Sequence, residues 1–61
     1  MAIVTVEQFN PKSQHWNKLY KVEESDFDPD LPIEINRYNG PYRYILNDMA
    51  YFLGMPRKLS G

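Results

Sequence analysis

Packing alone must hold this chain together, because none of its 61 residues is a cysteine. Small domains usually add disulfides or thiolate-bound metal to a core too small to suffice, and both routes are closed here. A chain of this length makes one domain, residues 1–61, and buries only about 60% of the surface its unfolded form exposes. The composition supplies the material for a core: 43% of residues are hydrophobic and 15% aromatic, too apolar for a disordered chain. Seven basic and eight acidic residues leave a net charge of −1, which neither draws nucleic acid nor repels it. A domain this small rarely encloses a ligand-sized pocket.

Four segments organise the sequence. Ile3-Val4-Thr5-Val6 is a β-branched run that favours a strand over Ala2–Phe9. Asn10-Pro11-Lys12-Ser13 suits a type I turn. Residues 14–22 fit a strand through Trp16, Tyr20 and Val22, or a helix through Trp16, Leu19 and Tyr20; the preceding turn favours a strand closing a hairpin. Glu23–Leu31 reads as an acidic loop whose end is bracketed by Pro29 and Pro32, and Ile33-Glu34-Ile35-Asn36 alternates like a strand. Finally, Tyr42, Ile45, Leu46, Met49, Phe52 and Leu53 recur at three- and four-residue spacing between Pro41 and Gly54. That stripe predicts a helix over Pro41–Leu53. The expected fold class is α+β: a small two- or three-stranded antiparallel sheet packed against one C-terminal helix. Leu46, Met49 and Phe52 would face Val4, Val6, Ile33 and Ile35 across the core.

Catalytic chemistry finds little support in these residues. His15 is the single histidine, and no motif joins it to Ser13 or Ser25, so it reads as a turn-flanking surface residue. The three glycines are isolated, so no phosphate loop is present. Asp26, Asp28 and Asp30 match the first ligand positions of a calcium loop. Leu31 then stands where glycine is required and Arg37 where a bidentate glutamate belongs. Neither a metal nor a cofactor is expected, and the chain is read as no enzyme.

Two features point to contact with other molecules. On the predicted helix, Tyr44, Asn47 and Tyr51 fall opposite the apolar stripe with Arg43 beside them, a composition enriched at protein interfaces. Glu23, Glu24, Asp26, Asp28 and Asp30 form a second candidate surface, either solvated or directed at a basic partner. Residues Asp48–Ser60 also resemble the centre of a helix-turn-helix DNA-binding motif, with Ala50 as the small packing residue, Gly54 at the turn and Met55 after it. The resemblance implies a recognition helix carrying Arg57 and Lys58, but Pro56 replaces the usual capping serine or threonine. The leading expectation is a small non-enzymatic module that docks onto a larger protein as inhibitor, adaptor or accessory subunit. Phage-encoded inhibitors exemplify that size class. The alternative is a small nucleic-acid-binding domain with a degenerate helix-turn-helix-like C-terminus; tight, specific duplex binding is not expected. The N-terminus shows no signal-peptide pattern and no membrane span is evident, so the expected location is cytoplasmic.

Overall fold

A computed structural model describes residues 2–57. β1 (Ile3–Asn10) and β2 (His15–Glu23) form the first hairpin, followed by a 3₁₀ turn at Glu24–Asp26 and a single helical turn, α1 (Leu31–Glu34). β3 (Tyr42–Leu46) and β4 (Met49–Gly54) form a second hairpin. The strands make one antiparallel sheet in the order β2-β1-β3-β4. Its Cα atoms span 39 × 25 × 15 Å, thin enough for a sheet with a covering on one side only.

The β-branched start of β1 and the Asn-Pro turn act as the sequence suggests. The Asn10 side chain accepts a hydrogen bond from the Lys12 amide at 3.0 Å, and the Gln14 amide donates to the Asn10 carbonyl at 2.7 Å. Residues 15–23 are therefore strand, not helix. Leu19 is an extra residue where the pairing steps from Val6–Tyr20 to Glu7–Lys18, so β2 carries a bulge.

The expected C-terminal helix is absent, and the α+β class with it. Asn47 and Asp48 both take left-handed backbone angles, φ 51° and 65°. Two such residues make a type I′ turn, whose twist matches the strands it joins. The chain folds back there, and Arg43–Phe52, Tyr44–Tyr51, Ile45–Ala50 and Leu46–Met49 become cross-strand partners. Aromatic and β-branched side chains through this segment suit strands as well as a helix stripe. Gly54 is no helix cap: it ends β4 at φ 144°, with the Ile33 side chain 3.5 Å from where a Cβ would stand. The strand expected at Ile33–Asn36 is also replaced. α1 takes up Leu31–Glu34, with proline in its first turn where a missing N–H costs nothing.

Alternation along β1 divides the sheet into two unlike faces. Val4, Val6 and Gln8 are fully buried, as is Tyr42 opposite Gln8. The connection between β2 and β3 covers this face. Phe27 leans on Tyr44 with ring centroids 4.8 Å apart, and Pro32 is buried. The neutral side chain of Gln8 ties the cover down. Its Nε2 donates to the Gly40 carbonyl at 2.9 Å, and its Oε1 accepts from the Arg37 and Tyr38 amides at 3.1 and 3.2 Å. Leu46 is half-buried, whereas Met49 and Phe52, expected in the core, are 59% and 71% exposed.

The Tyr42 hydroxyl is buried without a hydrogen-bond partner among the described residues. Burial raises its pKa above the ordinary 10.0, since the phenolate would be poorly solvated. An unpaired buried hydroxyl costs about 1–3 kcal/mol. Tyr42→Phe is therefore expected to stabilise the fold by about 1 kcal/mol in urea unfolding at neutral pH. Because the folded pKa lies above the unfolded one, the folded state holds its proton longer. Stability of the parent should thus fall as pH rises past 10.0, and Tyr42→Phe should lessen that fall.

Candidate interaction surface

The opposite face of the sheet has no covering segment among the described residues. Cross-strand pairing places Thr5 with Ile45, Glu7 with Arg43, Phe9 with Trp16, Arg43 with Phe52 and Ile45 with Ala50 on it. At its centre the Arg43 Nε donates to Glu7 Oε1 at 2.7 Å. The same guanidinium lies 4.2 Å over the Trp16 ring, which meets Phe9 edge-on at 5.4 Å. Carboxylate, guanidinium and indole thus hold one another in place, and a held side chain loses less entropy when a partner covers it. Around this group lie Phe52, 71% exposed, and Ile3, 47% exposed, with Lys18 and Lys21 exposed on the β2 side.

The residues expected at a contact surface are distributed differently from the helix reading. Tyr44 and Tyr51 do meet, stacked at 4.9 Å and 19°, because they are partners across the Asn47–Asp48 turn. They lie on the covered face beside Phe27, with Tyr51 still 41% exposed. Arg43, next to Tyr44 in the chain, points to the other face, so the tyrosines and Arg43 do not form one patch. Asn47 sits exposed in the turn. Glu23 ends β2, Glu24 and Asp26 lie in the 3₁₀ turn, and Asp28 and Asp30 follow on the connection. The Asp30 amide donates to Asp28 Oδ1 at 3.0 Å. Phe27 carries this acidic connection onto Tyr44, so the two expected surfaces adjoin. Burial, and behind it the charge of Asp28, raises the pKa of the Tyr20 phenol.

Among the described residues, no group of three or more His, Asp or Glu side chains is placed to hold a metal ion. A polar depression of about 310 Å³ lies between the first turn and residues 37–39, lined by Asn10, Pro11, Lys12, Arg37, Tyr38 and Asn39. The helix-turn-helix reading also gives way. Met49–Gly54 is a strand and residues 55–57 follow it without helix. The Arg57 amide donates to the Ile33 carbonyl at 3.1 Å and its guanidinium reaches Glu34 at 3.3 Å, which ties it to α1. Lys58–Ser60 lie outside the described residues. No described helix is long and apolar enough to cross a membrane.

The sequence reading missed the uncovered face. Its signal was present in the alternation of Ile3, Thr5, Glu7 and Phe9 along β1, which fixes one row of that face. Comparison with known proteins adds no assignment: no family model, curated protein or solved structure matches the chain.

Proposed function

We propose that this chain is a small non-enzymatic interaction module that docks onto a larger protein through the uncovered face of its sheet. The observation that carries this reading is Phe52, 71% exposed beside the ordered Glu7–Arg43–Trp16 group. An exposed aromatic next to a fixed arginine matches the composition of interface hot spots. Lys18 and Lys21 lie on the β2 side of this face and Phe52 on its β4 side, so the fitting partner surface is an apolar protein patch with carboxylates along one side. The acidic connection lies on the other side of the sheet and would orient the approach. The proposed compartment is the cytoplasm.

The test is capture from lysate on the immobilised chain, with the bound protein identified by mass spectrometry and then purified for binding measurements. Phe52→Glu should weaken affinity by at least about tenfold, the effect of losing a contact worth 1.4 kcal/mol or more. Lys18→Glu/Lys21→Glu should slow association, while Asp28→Asn/Asp30→Asn should leave the dissociation rate unchanged. Equal affinity for parent and Phe52→Glu would refute the surface assignment.

A second reading follows from the same face. Phe9 and Trp16 near Lys18 and Lys21 on the β2 side, with Phe52 on the β4 side of the same face, form an arrangement on which single-stranded nucleic acid could stack. Against it, Arg43 is already neutralised by Glu7 and the net charge is −1. Nuclease-sensitive capture, followed by salt-dependent binding of a single-stranded oligonucleotide, would favour this reading over the first.

A further inference from the structure

We infer that the chain self-associates through β4, pairing antiparallel with β4 of a second copy to continue the sheet. The two edges of the sheet differ in a way that points there. Both edge strands carry a bulge, at Leu19 in β2 and at Leu53 in β4, but β2 also carries Lys18 and Lys21, charges that discourage pairing with another strand. β4 reads Met-Ala-Tyr-Phe-Leu-Gly and has no charged residue or proline. Among the described residues it pairs with β3 alone. Met49, Ala50, Tyr51 and Phe52 are all exposed along it.

An uncharged edge strand suits a second copy of itself as the occupant. In a two-fold antiparallel pair each residue meets a residue of the same strand, so any charge on the strand meets its like in some registers. β4 has none, so no register of self-pairing opposes like charges, whereas β2 would bring lysines together. A net charge of −1 also leaves almost no repulsion between whole molecules. The two-fold axis of such a pair runs perpendicular to the sheet. Both uncovered faces would then lie on the same side of one eight-stranded sheet, doubling the proposed contact surface without occluding its centre. This surface is the strand edge, separate from the face proposed to hold the larger partner.

The experiment is sedimentation equilibrium on the full chain across a concentration series. A six-residue strand pair makes an interface below about 1,200 Å², the weak and reversible class. The expected average mass therefore climbs from 7.3 kDa toward twice that value as concentration rises from about 10 μM to about 1 mM. Ala50→Lys, which places a charge on the edge, should stay at 7.3 kDa with an unchanged circular dichroism spectrum, and Ala50→Val should associate like the parent. A parent that holds 7.3 kDa throughout overturns the inference, as does an Ala50→Lys variant that associates equally well. Should Ala50→Lys fail to fold, hydrogen exchange on the parent decides: β4 amides that slow with concentration support the pairing, and concentration-independent exchange overturns it. A monomer that still captures the larger protein removes this inference alone; a dimer that captures none removes the functional reading alone.

Discussion

Gly40→Ala is expected to lower the melting temperature by more than about 12 °C, a loss of about 3 kcal/mol at 4–8 °C per kcal/mol for a domain this size. A Cβ on Gly40 would stand 2.0 Å from the Phe9 carbonyl oxygen and 2.9 Å from its carbon. Both are backbone atoms, so no side chain can swing aside to relieve the clash. The Phe9 amide meanwhile donates to the Pro41 carbonyl at 2.9 Å, which fixes the approach of the chain as it enters β3. A 61-residue domain has about 3–9 kcal/mol in total at 0.05–0.15 kcal/mol per residue, so this one methyl group endangers the fold. Thermal melts followed by circular dichroism provide the check. A melting temperature within about 2 °C of the parent would show that the close approach is not a feature of the folded protein.

Gln8→Leu is the second large effect, with an expected loss of about 2–4 kcal/mol from orphaned polar groups that cost 1–3 kcal/mol each. Gln8 is fully buried at the centre of the covered face, and both ends of its amide are used. Leucine fills the space but leaves the Gly40 carbonyl and the Arg37 and Tyr38 amides without this partner. The damage should therefore concentrate in residues 36–40. Urea unfolding measures the total, and amide exchange at Arg37 and Tyr38 locates it. A leucine variant as stable as the parent, with those amides still protected, would show that the connection is held by other means.

These two residues also show which parts of the structure the sequence made legible. The first hairpin was readable because Ile3–Val6 favours strand and Asn10-Pro11 favours a turn, and both act locally. Gln8 was invisible as an anchor. Glutamine is ordinarily exposed, and its partners lie about 30 residues away in the chain. The C-terminal half misled for a different reason. Positions 42, 45, 46, 49, 52 and 53 satisfy helical spacing, yet the same segment divides into two strands symmetric about Asn47–Asp48. The decisive signal was that dipeptide, because asparagine and aspartate tolerate left-handed angles better than most residues. Taken as a turn, it pairs Tyr44 with Tyr51 and sends Arg43 and Phe52 together to the other face. The tyrosine pair was thus legible as a pair, although the surface to which it belongs was not.

The claim on which the functional reading depends is that, among the described residues, one face of this sheet is covered and the other is not. Attenuation of side-chain NMR signals by a soluble gadolinium chelate measures it most directly, because the effect falls steeply with distance from solvent. Signals from Ile3 and Phe52 should be strongly attenuated and those from Val4, Val6 and Tyr42 spared. Attenuation of both sets alike, or protection of Phe52 together with the sequential contacts of a helix over residues 42–53, would contradict the account.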